Sequence, residues 1–267
     1  MRLRIVKVVF PLLGLIASSA VLAQAPSPAA PAAPAAPAPP PPWLINAQAG
    51  YVSSKGNTNA TTANVKLDVV HQYDVWKHEL SLQYVYGTQN GYTNAERLDA
   101  MWQSNYNFSG RLYVFGQLVF DDDQFNGFEY QGTASAGLGY SIFKTAATML
   151  NVQLGAGYSR MRPMTLIDDA NGNVVGHTLL PVQDETVATT TIDFTHQFNA
   201  ATKLLETLYV QSGDLDTLLK NDLGLQVSMS KSLSLTAGYE IRLNTNPPVG
   251  TERKDTLITL NLTYTRK

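Results

Sequence analysis

The sequence predicts an all-β protein, an antiparallel up-and-down transmembrane β-barrel of about 12 strands with short periplasmic turns and longer extracellular loops. Three observations lead to this fold class: apolar and polar residues alternate with a period of two, short and long connections alternate, and aromatic residues gather near strand ends. From Trp43 onward, no segment contains the ~18 consecutive apolar residues of a transmembrane helix.

The first 23 residues have the layout of a cleavable signal peptide, in which a cationic region, an apolar region and a run of small residues follow one another. The apolar region is shorter than the ~20 residues of a membrane-spanning helix, so we expect cleavage after Ala23 rather than an anchor. The three regions in order are Arg2 to Lys7, Val8 to Ile16 and Ser18 to Ala23.

Residues 24–42 form an Ala/Pro-rich linker, with nine prolines between Pro26 and Pro42. Such a segment has too few apolar side chains for a core, and we expect an extended, disordered spacer. The barrel domain is then predicted to occupy residues 43–267.

Charge and cysteine content exclude two classes of protein. Loss of Arg2, Arg4 and Lys7 with the signal peptide lowers the 19 Lys and Arg residues to 16 against 21 Asp and Glu, a net charge of −5. A protein without clustered cations is not a nucleic-acid binder. Cysteine is absent, so no disulfide stabilises the exported domain.

Alternation defines the strands. It is clearest over Leu233–Leu243, where Leu, Ala, Tyr and Ile occupy one face and Ser, Thr, Gly, Glu and Arg the other. The pattern recurs in 150–158 and 258–264. Twelve strands are predicted, near residues 43–53, 60–72, 77–88, 94–107, 111–121, 129–142, 147–160, 184–198, 202–212, 217–228, 231–243 and 253–265.

The connections fall into two sets, as outer-membrane barrels require. Those after even-numbered strands are short: 73–76, 108–110, 143–146, 199–201 and 229–230. Those after odd-numbered strands tend to be longer: 54–59, 89–93, 122–128, 161–183 and 244–252. The late prolines, Pro163, Pro181, Pro247 and Pro248, are all predicted in these longer loops, and both termini are predicted to be periplasmic.

Aromatic residues are predicted to form two girdles at the membrane–water interfaces, because amphipathic rings favour the headgroup level. The residues near predicted strand ends are Tyr51, Tyr73, Trp76, Tyr86, Tyr92, Phe108, Tyr113, Tyr130, Tyr140, Tyr158 and Tyr264.

Charged residues occur in mid-strand on the face opposite the aliphatic side chains. In a barrel this face lines the lumen, and opposite charges can pair across neighbouring strands. The predicted lumen-facing residues are Glu79, Arg97, Asp99, Asp193, Lys220, Asp222, Glu240 and Arg242.

Three short motifs resemble those of a known family. Residues 50–59 resemble its opening Gly…(Ser)-x-Gly-Asn-Thr signature, and residues 123–127 and 137–140 resemble its Asp-x-Phe-x-Gly and Gly-x-Gly-Tyr features. The family is the domain-of-unknown-function 481 group, also called salt-induced outer membrane or YdiY-like proteins. The resemblance covers residues 43–267 and implies an outer-membrane barrel, but the family has no established activity. The motif residues are Gly56, Asn57, Thr58, Phe125, Gly127, Gly137, Gly139 and Tyr140.

No catalytic set is predicted, and we expect no enzyme and no cofactor. His78 and Ser81 lie on opposite faces of one strand, and His71 and His196 are expected at the interface. Acidic clusters at 121–123, 168–169, 184–185 and 214–216 are placed on the long-loop side. The 168–173 segment has oxygen ligands that suit Ca²⁺ but lacks EF-hand spacing, so a solvated acidic loop is favoured and no metal site is predicted.

Two functions remain open. A small porin-like channel for ions or small solutes is one, because about twelve strands enclose more space than the eight of a filled barrel. A non-conducting structural or stress-related envelope protein, its lumen filled by paired charges or by the 161–183 loop, is the other; a membrane-embedded hydrolase is less favoured. The expected location is the bacterial outer membrane. The expected partners are its lipid and lipopolysaccharide and the barrel-assembly machinery, with no nucleic acid and an open oligomeric state.

Overall fold

The computed structural model describes residues 42–55 and 59–266. The predicted signal peptide, residues 24–41 of the predicted linker, and the motif residues Gly56, Asn57 and Thr58 lie outside the described residues. The elements of regular structure in the described residues are all β-strands. That part of the chain has no helix long and apolar enough to cross a membrane.

The described residues form thirteen strands. They are β1 (Trp43–Ser54), β2 (Ala60–Tyr73), β3 (Trp76–Gln89), β4 (Tyr92–Asn107), β5 (Leu112–Asp123), β6 (Phe128–Lys144), β7 (Thr148–Asp168), β8 (Val174–Leu179), β9 (Gln183–Gln197), β10 (Thr202–Ser212), β11 (Thr217–Ser228), β12 (Leu233–Asn244) and β13 (Lys254–Arg266).

Twelve of these strands close into one antiparallel ring. Neighbours follow chain order from β1 to β7, continue from β9 to β13, and β13 pairs with β1, so that Ala47 lies opposite Tyr264. A closed ring has no edge strand and pairs its backbone groups internally, which hydrocarbon requires because it offers no hydrogen bonds. The predicted 12-stranded up-and-down barrel is confirmed.

The barrel has two different ends. At one end, here the turn end, β1 begins, β13 ends, and the connections after β2, β4, β6, β9 and β11 are two to four residues long. At the other end, the loop end, the connections include 124–127, 213–216 and 245–253. One prediction on this side is wrong: β3 and β4 are joined by Asn90 and Gly91 alone. Their positive φ angles of 52° and 89° fit a tight hairpin turn, for which Asn-Gly is the preferred pair.

The predicted 161–183 loop is also corrected. β7 continues to Asp168 and turns back through β8, which pairs with β7 alone. Pro163 therefore lies within a strand rather than in a loop. It occupies the gap between the last β7–β9 pair, at Met161, and the first β7–β8 pair, at Met164. Its carbonyl accepts a bond from Leu180 N at 2.9 Å, and its lack of an N–H removes no ladder bond.

The two faces of the wall show the polarity expected for lipid outside and a polar interior. Outward side chains are apolar and exposed, with Ile258 72% and Leu154 62% accessible. Inward side chains are polar and closely packed, with Thr263 1% and Ser159 0% accessible. A water-soluble protein has the opposite arrangement.

Aromatic side chains lie near both ends of the outer wall. Trp43, Tyr73, Trp76, Phe108 and Tyr264 are exposed toward the turn end, and Tyr51, Tyr84, Tyr86, Tyr92 and Tyr158 toward the loop end. Tyr113 is an exception to the prediction, because it points inward and is buried. Its ring lies against Gly139, where an added Cβ would come within 2.1 Å of it.

The described family-motif residues have structural roles in this part of the wall. A Cβ at Gly137 would lie 2.1 Å from the Leu154 carbonyl oxygen on β7, so the two strands meet too closely for any side chain there. Gly127 has a φ of 78°, which favours glycine. Phe125 N donates to the Asp123 carboxylate at 3.1 Å, and Tyr140 is exposed on the outer wall.

Candidate functional site in the barrel lumen

Alternation along four strands directs six charged side chains into the middle of the lumen. We call them the central charge cluster: Arg97 and Asp99 on β4, Asp121 on β5, Lys220 on β11, and Glu240 and Arg242 on β12. All of them are buried or half-buried. Two further charged residues of the same inward face, Lys66 on β2 and Asp222 on β11, lie beside the cluster. The neutral polar residues around it include Gln83, Gln103, Gln117, Gln226 and Thr236.

The cluster spans the lumen. Arg97 Nη2 lies 2.5 Å from Glu240 Oε1. The strands that carry them, β4 and β12, are five steps apart around the ring of twelve, through β3, β2, β1 and β13. Arg242 pairs with Asp99 between the same two strands, and Lys220 pairs with Asp121 between β11 and β5. These ion pairs therefore join nearly opposite walls.

Bonds along each strand complete the cluster. Arg97 Nε lies 2.8 Å from Asp99 Oδ2, and Arg242 Nε lies 2.9 Å from Glu240 Oε1. Gln83 donates to the second oxygen of Glu240 at 3.2 Å. Each arginine thus binds one carboxylate on its own strand. Arg97 binds one carboxylate on the opposite wall and Arg242 binds two, since its Nη2 also lies 3.6 Å from Asp121 Oδ1.

Adjacent strands carry like charges at the cluster, which differs from the prediction of opposite charges on neighbouring strands. Lys220 is the register partner of Arg242, and Asp222 is the partner of Glu240. Like charges directly opposite each other in a sheet are unfavourable. The β11–β12 pair is therefore compensated by carboxylates and an arginine from β4 and β5, across the lumen, and by Lys66 on β2.

The structure brings five of the eight predicted lumen residues into this cluster and places Asp222 beside it. Glu79 and Asp193 lie apart, nearer the turn end. Lys77 Nζ is 2.5 Å from Glu79 Oε1, and Thr207 donates to Asp193 at 3.1 Å. Their partners come from the same or the next strand, so these two carboxylates are accommodated locally.

Asp121 is a cluster residue that the sequence analysis missed, because it placed 121–123 with the acidic loops. β5 extends to Asp123, and Asp121 is only 7% accessible. The available signal was its alternation with Tyr113, Phe115 and Gln117, which all face inward.

Toward the loop end, on β6, β7, β9 and β11, five side chains are apolar and buried. We call this group the apolar cap: Phe128, Met161, Met164, Val187 and Leu218. Met164 is fully buried, and its N–H donates to the Gly127 carbonyl at 2.8 Å.

The loops above the cap are tied to one another. Gly127 approaches Pro248 so closely that a Cβ would lie 2.9 Å from its ring, although their loops leave the barrel on opposite sides. Asn246 N donates to Asp216 at 3.0 Å, and Leu215 N donates to Glu185 at 2.8 Å. These contacts hold the loops over the mouth of the lumen.

Several polar atoms on the neutral side of the lumen have no hydrogen-bond partner among the described residues, although they are buried. They include Gln117 Oε1, Ser135 Oγ and Thr189 Oγ1. Thr189 lies over Gly155 and Ser135 over Gly157, each in the space that a side chain at the glycine would occupy. Buried polar atoms of this kind are ordinarily satisfied by water.

A histidine–serine contact lies on the outer wall rather than in the lumen. His78 Nδ1 is 2.6 Å from Ser104 Oγ, a partner on β4 that sequence spacing did not reveal. The His78 ring is stacked 5.8 Å from Trp76 and 6.5 Å from His71, within the turn-end aromatic belt. His78 and Ser104 are register partners in the β3–β4 ladder, so their contact is part of an interfacial belt of side chains.

The acidic 168–173 segment is organised by its own hydrogen bonds. The Asp169 carboxylate accepts from Asn171 N at 2.8 Å and from the backbone and side chain of Asn173 at 2.9 to 3.2 Å. These bonds to Asn173, with those to Asn171, lower the pKa of Asp169. Within the described residues, no three His, Asp or Glu side chains are grouped as metal ligands.

A family model described as "Protein of unknown function, DUF481" matches residues 47–265. The chain belongs to the DUF481 family. This confirms the resemblance seen in the motifs. A relative in Escherichia coli (strain K12), the uncharacterized protein YdiY, is 21% identical over 229 residues, which cover 84% of this chain and 83% of YdiY.

Solved structures similar to this DUF481 chain are distant. The NanC porin has a TM-score of 0.44 at 12% identity and covers 83% of this chain and 97% of its own. The KdgM porin in complex with disordered oligogalacturonate has a TM-score of 0.43 at 9% identity, covering 83% and 98%. An outer membrane channel of Pseudomonas putida F1, COG4313, has a TM-score of 0.42 at 10% identity, covering 84% and 93%.

Proposed function

We propose that this chain is an integral outer-membrane β-barrel, porin-like in architecture, whose lumen is closed at rest by the central charge cluster. The observation that carries the proposal is the set of ion pairs between β4 or β5 and β11 or β12. Side chains that touch across a lumen exclude water where they meet. We place a second constriction at the apolar cap, beneath loops that meet across the mouth where Gly127 approaches Pro248.

The outer wall supports the membrane location. Its aliphatic side chains are exposed in a belt between aromatic girdles, and the ring leaves no strand edge unpaired, both of which suit a bilayer. The short connections lie on the same side as both ends of the described barrel, so we place the turn end in the periplasm and the loops outside the cell. Outer-membrane lipid, lipopolysaccharide and the barrel-assembly machinery are the partners that this location implies.

Single-channel recording in planar bilayers tests the closed lumen. We expect no steady conductance from the wild-type barrel, because the bridge between opposite walls is intact. The double variant Arg97→Gln, Glu240→Gln removes one of the three bridges without leaving an unpaired charge from that pair. We expect intermittent conductance steps from it, and more frequent steps when Met164→Gly loosens the apolar cap as well. Lys77→Gln with Glu79→Gln is the matched control, because that pair does not cross the lumen.

Steady steps of equal size from the wild-type and bridge variants would overturn the closed-lumen proposal. Silence from every folded variant with an unaltered cap would leave the apolar cap as the closure. The folded state is checked independently by the heat-dependent mobility of the barrel on electrophoresis.

A small-ion pathway is the second candidate, favoured by the buried, unpartnered polar atoms of Gln117, Ser135 and Thr189. These atoms indicate water sites along the neutral side of the lumen. If that pathway conducts, brief openings of low conductance should occur in the wild-type protein. Their frequency should rise when Met164→Gly loosens the apolar cap.

A further inference from the structure

One carboxylate lies on the outer wall, within the apolar belt. Glu206 belongs to the outward face of β10, between Leu204 and Leu208, and its register partners are Phe194 and Leu223, both apolar. Asn221 Nδ2, on the outward face of β11, donates to Glu206 Oε1 at 3.3 Å. The two side chains therefore form a polar pair on a surface that otherwise faces hydrocarbon.

The pair lies near mid-height in the wall. Glu206 is four residues from the turn-end limit of β10, and Asn221 is four residues from the loop-end limit of β11. Both strands are 11 to 12 residues long, about the length that crosses a bilayer. Other outward acids of the described chain, Glu96, Asp122 and Asp184, lie close to the loop end, where water is available.

A polar pair surrounded by lipid chains is incompletely satisfied. The carboxamide of Asn221 has two N–H donors and an acceptor oxygen, and the hydrogen bond to Glu206 uses one donor. Glu206 also retains acceptor capacity on Oε2. Acyl chains have no hydrogen-bonding groups, so these atoms are stabilised only if another polar surface covers them.

We propose that a second copy of this chain covers this wall, with Glu206 and Asn221 of each copy hydrogen-bonded across a twofold axis normal to the membrane. A twofold axis places the same patch of both copies face to face. The remaining Asn221 donor of each copy then reaches the Glu206 carboxyl of the other. The pair is self-complementary, because each copy supplies both a donor and an acceptor.

The outer surface around the pair is apolar. Phe194 on β9 and Leu223 on β11 flank Glu206 in register. In hydrocarbon, polar side chains of two membrane-spanning chains hold each other by hydrogen bonds. The opposite wall differs, since β3 presents apolar and aromatic side chains at mid-height, Leu80, Leu82 and Tyr84.

Cysteine cross-linking in intact outer membranes tests this interface, because the native chain has no cysteine. Leu208→Cys lies on the proposed interface, in register with Asn221. Leu82→Cys lies six strands away around the ring and is the matched control. We expect a cross-linked species of twice the mass from Leu208→Cys and at least tenfold less from Leu82→Cys.

Adding Glu206→Leu to Leu208→Cys should lower the cross-linked yield at least tenfold, because leucine restores an ordinary lipid-facing wall. Glu206→Gln should retain most of it, since an amide keeps a donor and an acceptor. Heat-dependent mobility in the membrane fraction shows separately that each variant is a folded barrel.

Equal cross-linking at positions 208 and 82, or a yield unchanged by Glu206→Leu, would overturn the proposal. A cross-linked species of a different mass would assign the wall to another protein and would also overturn it. Conductance is not a readout of this experiment, so its result is independent of whether the lumen is closed.

Discussion

Two regions of the same lumen accommodate buried charge in different ways. Near the turn end, Glu79 and Asp193 are bonded to Lys77 and Thr207, which lie on the same or the adjacent strand. In the central cluster, Arg97 and its neighbours are bonded to residues five strands away. The first arrangement is a property of one sheet segment. The second exists only because the sheet closes, and it ties opposite walls together.

The largest loss of stability should come from removing a cation that binds carboxylates on both walls of the lumen. Arg242→Met leaves Asp99 and Glu240 buried with one fewer cation, and breaking a buried ion pair in this way costs about 3–5 kcal/mol. We expect that loss in the free energy of unfolding, measured by urea titration of the barrel in lipid vesicles with tryptophan fluorescence. Lys77→Met, at the half-exposed turn-end pair, should cost about 1 kcal/mol or less. Equal losses for the two variants would remove the distinction between the regions.

The next effect tests whether the two walls are coupled. Arg97→Met and Glu240→Met should each destabilise the barrel, and the double variant should be more stable than the sum of the two losses predicts. Residues in one ion-pair network show interaction energies of about 0.5–3 kcal/mol in such cycles. The same cycle on Glu79 and Arg160, which lie toward opposite ends of the barrel and have separate partners, should give a coupling near zero. If the losses for Arg97→Met and Glu240→Met simply add in the double variant, the proposed ion pair across the lumen does not contribute to stability.

Close packing on the β6–β7 side should have a comparable or smaller effect. Gly137→Ala places a Cβ 2.1 Å from a carbonyl oxygen, and overpacking of this kind costs about 1–3 kcal/mol. Gly116→Ala, on the outer wall, meets no atom within 4 Å and is the control. Urea titration should show a clear loss for the first variant and little change for the second. The opposite order would show that β6 and β7 separate easily.

The smallest effects should occur outside the barrel wall. The pKa of Asp169 is lowered by its bonds from Asn173, so those bonds contribute stability above the carboxyl's ordinary pKa. That contribution is lost as the pH falls through the lowered value, in the acid range. Asn173→Ala should move the pKa of Asp169 back toward 3.8, measured by NMR titration of the carboxyl carbon. An unchanged titration would mean that the backbone bonds alone set it.

Much of the fold was predictable because it depends on local patterns. Strands such as 202–212 and 217–228 were predicted with the bounds that the structure has, since alternation and turn residues mark both ends. The 161–183 segment was not predicted correctly, because its apolar residues Met161 and Met164 become buried only when the strands have closed into a ring. The Asn90–Gly91 turn carried a readable signal, because Asn-Gly is the preferred pair for a two-residue hairpin turn.

The candidate site divides in the same way. Alternation alone identified Arg97, Asp99, Lys220, Glu240 and Arg242 as residues of the polar face. It could not identify their partners, because a register pair is set by neighbouring strands, whereas these pairs join β4 and β5 to β11 and β12. Glu206 was hidden for a related reason. Leu204 and Leu205 place leucine on both faces of β10, and only the register with β9 and β11 places Glu206 outside.

By itself, the sequence determined a β-barrel with a polar interior, an apolar belt and two unlike ends, because side-chain alternation and turn chemistry act over a few residues. The tertiary structure decided which charges meet, where the lumen is closed and which carboxylate remains on the outer wall. Those properties depend on ring closure and strand register, which bring together residues that are more than 100 positions apart in the chain.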